Sequence, residues 1–211
     1  MKIAILGAES TGKSELVIQL ENHFQAEGKS IHSIPEYLRT WCDAENRTPR
    51  KEEQLAIATE QARQINKASA CDVLIADTTA LTVAVYSDLL FDDTSLYDMA
   101  LEHQHRFDAT LLMGLDLPWV EDGIQRDGSH MREPVDTALR AALVLGSIPF
   151  KVVYGTDVSR LQNALRCLNL AVNTSFETNE NRPQRLRTWV CERCSDPVCE
   201  HRLFRDLLNK S

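Results

Sequence analysis

No apolar run in this sequence approaches the roughly 18 residues that a membrane-spanning helix requires. The N-terminus lacks the layout of a secretory signal, because a strand-like apolar segment starts at Lys2. A surplus of basic residues is also missing. Lysine and arginine number 23 against 31 aspartates and glutamates, a formal net charge of −8. A binder of the nucleic-acid backbone needs a basic footprint, so nucleic acid is not the expected partner. Internal repeats are absent, as is the N-K-x-D motif that marks GTPases. The expected compartment is the cytoplasm, where thiols stay reduced. Cys71 and Cys167 border apolar segments and read as buried free thiols.

What is present is a chain of ordinary globular composition, 43% hydrophobic and 26% charged over 211 residues. That length predicts one domain with a small appendage. The first 27 residues carry the strongest signal. Lys2 to Leu6 is apolar and β-leaning, and Glu15 to Glu27 reads as a helix. Between them, Gly7-Ala8-Glu9-Ser10-Thr11-Gly12-Lys13-Ser14 fits G-x-x-x-x-G-K-[ST]. Strand, loop and helix together are the context in which this P-loop motif has meaning. Gly7 and Gly12 allow backbone angles that let successive N–H groups face a phosphate. The helix N-terminus adds partial positive charge. The motif assigns Gly7, Glu9, Ser10, Thr11, Gly12, Lys13 and Ser14 to ATP, with Lys13 on the β- and γ-phosphates and the Ser14 hydroxyl on Mg²⁺.

Strand and helix alternate thereafter. Strands are predicted at 30–35, 72–77, 109–115 and 150–154. Helices are predicted from Thr48-Pro49 to about Ala70, with Thr48 as cap, and at 79–90, 95–106, 135–145 and 158–171. Five strands separated by helices imply an α/β fold, a parallel sheet covered on both faces. With its phosphate loop, this is a P-loop NTPase three-layer sandwich. Residues 1–172 form the expected kinase domain, 173–188 a polar linker and 189–211 a Cys/His tail.

Phosphoryl transfer needs a metal, positioned cations and an oriented acceptor hydroxyl, at the carboxyl ends of the strands. Glu36, Asp77 and Asp116 have that address. Asp77 reads as the Mg²⁺-side carboxylate, as a contact to the acceptor hydroxyl, or as a cap for the helix starting at Thr79. Glu36 could accept the acceptor's proton or hold a ribose hydroxyl, with Arg39 beside it; a surface ion pair is the alternative. Tyr37 and Trp41 could stack on a substrate ring or belong to the core. The stretch from Trp119 to Arg132 lies where small kinases carry a lid, and Arg126 and Arg132 could close on the phosphates. Gly155-Thr156-Asp157 follows the last strand, where an adenine loop is expected, which puts Thr156 with the nucleotide-binding residues.

These landmarks resemble the NadR-type nicotinamide riboside kinases. The resemblance rests on the Gly-Ala-Glu-Ser start of the loop, Glu36-Tyr37-x-Arg39, Asp77-Thr78 and Pro118-Trp119-Val120-x-Asp122-Gly123, and covers about residues 1–170. It implies ATP-dependent phosphorylation of the 5′-hydroxyl of nicotinamide riboside. Glu36, Tyr37 and Arg39 would line the nucleoside side, Asp77 would face metal or acceptor, and Arg126 and Arg132 would belong to the lid. One departure is Gln125, where the family often has arginine; Arg126 follows it. The adenylyltransferase and DNA-binding regions of multidomain members are not among these 211 residues.

The tail carries Cys191-x-x-Cys194 and Cys199-x-His201, four ligands suited to a structural Zn²⁺. Free surface cysteines are the alternative. Arg193, Arg202 and Arg205 make the tail a candidate contact surface for a protein partner or for nucleic acid.

Overall fold

The computed structural model describes residues 1–120 and 128–170. Five strands, β1 (Lys2–Leu6), β2 (Ile31–Ile34), β3 (Val73–Asp77), β4 (Ala109–Met113) and β5 (Lys151–Val153), form one sheet in the order β2-β3-β1-β4-β5. Every pairing is parallel. The helices are α1 (Lys13–Ala26), α2 (Tyr37–Glu45), α3 (Gln54–Lys67), α4 (Ala80–Phe91), α5 (Tyr97–Gln104), α6 (Arg132–Leu145) and α7 (Asp157–Cys167). This is the predicted three-layer sandwich with its five-stranded parallel sheet.

Alternation along the strands divides the core between two faces. Ile3, Ile5, Ile75 and Met113 pack with Leu16, Leu20 and Phe24 of α1 and with Leu165 of α7. On the opposite face, Leu6 and Leu112 pack with Ile57 of α3, Leu81 and Val85 of α4 and Leu139 of α6. Helix α4 contacts α3, α5 and α6. Residues Ala80 to Val85 are therefore all buried, which explains why this stretch reads as apolar all round.

Three predictions needed correction. Thr48-Pro49 does not start a helix. A short 3-10 turn at Lys51–Glu53 comes first, and α3 begins at Gln54. The reason is electrostatic. The Glu53 carboxylate accepts the Arg50 backbone N–H at 2.7 Å and a two-pronged pair of bonds from Arg47 at 2.7 and 2.8 Å. Those donors hold the Glu53 pKa down to about 2. Helix α2 was foreseen only as a turn that could follow Glu36, yet it runs nine residues. The last helix ends at Cys167 rather than at Ala171.

One buried group has a predictable cost. His103 of α5 is 4% exposed, and neither ring nitrogen has a hydrogen-bond partner among the described residues. Burial lowers its pKa below 6.5, with Arg106 and Lys2 acting in the same sense and Glu102 opposing. The unfolded chain therefore binds a proton more readily than the folded one. Stability should be unaffected well above pH 6.5 and should fall as the pH drops below it. In thermal melts taken between about pH 7.5 and 5.5, His103→Leu should lose less Tm than the wild type. Equal acid sensitivity of the two proteins would contradict this.

Candidate active site

The phosphate loop sits between the end of β1 and the start of α1, at the centre of the sheet. Its backbone requires residues with little or no side chain. Gly12 has φ 75°, and a Cβ there would lie 3.0 Å from Leu117 and 3.3 Å from the Arg160 guanidinium. A Cβ on Gly7 would lie 2.9 Å from that of Met113. Thr11 is buried and donates its hydroxyl to the Ala8 carbonyl at 2.7 Å, bracing the loop from inside. Lys13 Nζ donates to the carbonyls of Gly7 and Ala8 at 3.1 and 3.0 Å. Ser10, in the left-handed region at φ 54°, donates to the Val120 carbonyl at 2.8 Å and accepts the Val120 N–H at 3.2 Å.

The neighbouring strand β3 delivers the carboxylate. Ser14 Oγ donates to Asp77 Oδ2 at 2.5 Å. The other oxygen, Asp77 Oδ1, is buried without a partner among the described residues. Asp77 is not the helix cap. Thr79 holds that position, its Oγ1 accepting the Leu81 N–H at 3.3 Å. Between them Thr78 has φ 65°, a strained conformation for a β-branched residue. A hydroxyl and a carboxylate in contact, with one oxygen left over, are hard oxygen donors of the kind Mg²⁺ takes. Among the described residues no group of three or more His, Cys, Asp or Glu could hold a metal by itself, so substrate phosphates and water would supply the remaining ligands.

A cavity of about 620 Å³ opens beside the loop. Gly12, Lys13 and Ser14 form one end. Glu36, Leu38, Arg39 and Cys42, from the start of α2, line one wall. Glu36 occupies the capping position of α2 but makes no capping bond to it. Gln61 of α3 fixes this turn by accepting the Tyr37 N–H at 2.6 Å and donating to the Pro35 carbonyl at 3.3 Å. The rim runs from Thr48 to Lys51, set by the Arg47–Glu53 pair, and Lys51 Nζ reaches the Phe91 carbonyl at 3.3 Å.

Glu36 and Arg39 thus share a cavity with the phosphate loop, but their two aromatic companions do not line it. Tyr37 packs against the core, and so does Trp41, whose ring is covered by the Arg47 guanidinium at 4.8 Å. Arg132 also lies apart from that cavity. Its Nη2 donates to the Leu117 carbonyl at 2.8 Å, tying the start of α6 to the chain leaving β4. Thr156 caps α7 and is not among the cavity's lining residues. Arg126, the linker and Cys191, Cys194, Cys199 and His201 lie outside the described residues.

One residue bonded to the phosphate loop escaped the sequence reading. Arg160 of α7 is 2% exposed. Its guanidinium donates to the Thr11 carbonyl of the phosphate loop, to Asp116 Oδ1 at 2.8 Å and, through Nε, to the Gly155 carbonyl at 2.6 Å. Asp116 Oδ2 accepts the Gly155 N–H at 2.6 Å. The connections after β1, β4 and β5 are joined by this one side chain. Asp116 stood out in the sequence as a strand-end carboxylate, but nothing local marked its partner.

The sequence profile described as AAA domain matches residues 2–160. The chain belongs to this family. It is also 29% identical, over 171 residues, to the trifunctional NAD biosynthesis/regulator protein NadR of Salmonella typhimurium and to that of Escherichia coli. Those matches take in 80% of this chain and 41% of each relative, so the chain spans well under half the length of the curated proteins it matches. A crystal structure of a NadR protein in complex with NR superposes with a TM-score of 0.62 at 17% identity, covering 81% of this chain and 50% of the other. A deoxyadenosine kinase from M. mycoides superposes with a TM-score of 0.55 at 19% identity, covering 80% and 99%. The resemblance to NadR seen in the sequence is borne out, and the fold is that of P-loop kinases.

The Arg160 clamp makes a separable prediction. Arg160→Leu leaves three acceptors on three connections without their donor. It should lower unfolding free energy by about 3 kcal/mol, the usual cost of breaking a buried pair. The loss should show as a lower midpoint in urea titration. A midpoint within error of the wild type would mean that the clamp is idle.

Proposed function

We propose that the protein transfers the γ-phosphoryl group of ATP to the 5′-hydroxyl of nicotinamide riboside, giving nicotinamide mononucleotide and ADP. The observation that carries this reading is a shared cavity. The phosphate loop, with Ser14 held against Asp77, opens into the same space as Glu36. The chain is an ATP-dependent phosphotransferase by its loop, its strand-end carboxylate and its kinase fold. The choice of nucleoside is supported by sequence similarity to NadR over four-fifths of the chain. No helix among the described residues is long and apolar enough to cross a membrane.

Ser14 and Asp77 would hold Mg²⁺, which when bound neutralises charge on the β- and γ-phosphates. The loop's N–H groups and the N-terminus of α1 cradle the phosphate oxygens. Lys13, now bonded to loop carbonyls, is placed to exchange them for phosphate. Asp77 is engaged with Ser14, and of the carboxylates that line the cavity Glu36 stands on the α2 wall, away from the loop and α1 that carry Glu9 and Glu15. It takes the proton from the 5′-hydroxyl as that oxygen bonds to the γ-phosphorus and the bond to ADP breaks. The turn fixed by Gln61 holds Glu36 in place, so little reorganisation is needed on reaction.

An ADP-release assay over a panel of nucleosides tests the reaction. Turnover with nicotinamide riboside should exceed the rate without acceptor. A rate that no nucleoside raises would overturn the kinase reading. A rate raised only by other nucleosides would keep the chemistry and replace the acceptor. Lys13→Ala should cut kcat by about 10³-fold, the scale of losing one preorganised donor to transferring charge. Its circular dichroism and Tm should match the wild type.

Asp77 and Glu36 separate by variant kinetics. Glu36→Gln should lower kcat by about 10²-fold through loss of the base, with the KM for ATP unchanged. Asp77→Asn should shift the Mg²⁺ concentration needed for half-maximal rate upward. The reverse pattern would exchange their roles.

A further inference from the structure

Ser10 holds a backbone conformation that suits glycine better. It lies in the left-handed region at φ 54°, where any side chain costs stability. The phosphate-loop motif leaves this position open, so the motif does not demand a serine. Backbone stability alone would select glycine here. The side chain that is present makes a specific contact. Its hydroxyl donates to the Val120 carbonyl at 2.8 Å and accepts the Val120 N–H at 3.2 Å, across 110 positions of the chain. One hydroxyl thus pairs both backbone groups of a single distant residue. Val120 itself is 61% exposed, so burial of its own side chain does not seat it there.

Val120 ends a segment that is pinned elsewhere. Residues 115–120 follow β4. Asp116 accepts from Arg160 at 2.8 Å and from the Gly155 N–H at 2.6 Å. The Leu117 carbonyl accepts from Arg132 at 2.8 Å. This one segment meets three consecutive residues of the phosphate loop. Ser10 holds Val120, the Thr11 carbonyl is joined to Asp116 through Arg160, and a Cβ on Gly12 would lie 3.0 Å from Leu117. The segment is a fixed post, and Ser10 is the loop's own side chain that reaches it.

A loop that binds phosphate through backbone N–H groups must hold them convergent before the ligand arrives. Time spent in other shapes weakens its affinity in proportion. We propose that Ser10 is a positioning residue for the nucleotide: its hydroxyl is committed to Val120, and that tether holds the phosphate loop in the shape that binds ATP. The strained φ is what places the hydroxyl on its target. The inference rests on the kinase reading above only through the binding of ATP, and not through the identity of the acceptor.

The test is calorimetric titration of the full chain with Mg²⁺ and ATP, without nucleoside, beside thermal melts of the ligand-free proteins. The variants are Ser10→Gly, Ser10→Ala and Ser10→Thr. Glycine and alanine both remove the hydroxyl, and each should weaken ATP binding by about tenfold, the scale of two net hydrogen bonds. Ser10→Thr restores a hydroxyl and should recover most of that loss. The Tm should sort the variants differently. Ser10→Gly relieves the left-handed strain and should melt above Ser10→Ala, although both have lost the tether. A merely structural role would make affinity follow Tm, with Ser10→Gly binding ATP better than Ser10→Ala, and that pattern overturns the inference. Wild-type affinity in both Ser10→Gly and Ser10→Ala overturns it as well, and leaves the kinase reading intact. Failure of the wild type to bind ATP overturns the kinase reading and the inference together. Failure of the nucleoside panel alone, with ATP bound and the tether effect present, removes the acceptor and supports the inference.

Discussion

A guanidinium offers five N–H donors in a fixed plane. Arg160 spends three of them on three different connections, after β1, β4 and β5. In a parallel sheet all these connections emerge at one end, so a single side chain at that end can tie them together. Gly12 and Arg160 are two halves of one constraint. The loop can curl around a phosphate because nothing projects from Gly12. The space a Cβ would take there is bounded by the Arg160 guanidinium. The rigidity of the phosphate cradle thus comes from the last helix, almost 150 residues downstream of the loop it braces.

The acceptor side is built differently. Leu38, Arg39 and Cys42 of α2, Gln54 at the start of α3, and Thr82, Tyr86 and Leu90 of α4 line it. Their relative placement depends on polar contacts at the corners. Gln61 joins α3 to the turn before α2, and the Arg47–Glu53 pair sets the rim. A donor side fixed by backbone and an acceptor side fixed by side chains suit one another. Phosphate is common to every turnover, whereas the acceptor must be discriminated.

How much of this was legible in the sequence follows from how local each cause is. The phosphate loop and the strands are local patterns, and Asp77 follows from them because a strand's end is also the sheet's edge. The Thr48-Pro49 cap failed because Glu53, three residues beyond Arg50, captures the Arg50 N–H and makes Arg50 the cap of a short turn instead. Trp41 looked like a stacking surface, yet Arg47 already covers its ring. Arg160 left no trace, since its partners lie at three distant points of the chain. Gln61 reads as one more residue on the buried stripe of α3, and only the fold shows that its amide fixes the turn before α2.

Thr78 holds a left-handed backbone conformation directly after Asp77. For a β-branched residue that conformation costs on the order of 1–3 kcal/mol, and glycine would relieve much of it. One source of stored strain in this protein therefore lies next to the carboxylate that faces Ser14. Drift toward greater stability and preservation of the site pull in opposite directions at this position. A lineage selected for heat tolerance alone would loosen the backbone that aims its own Asp77.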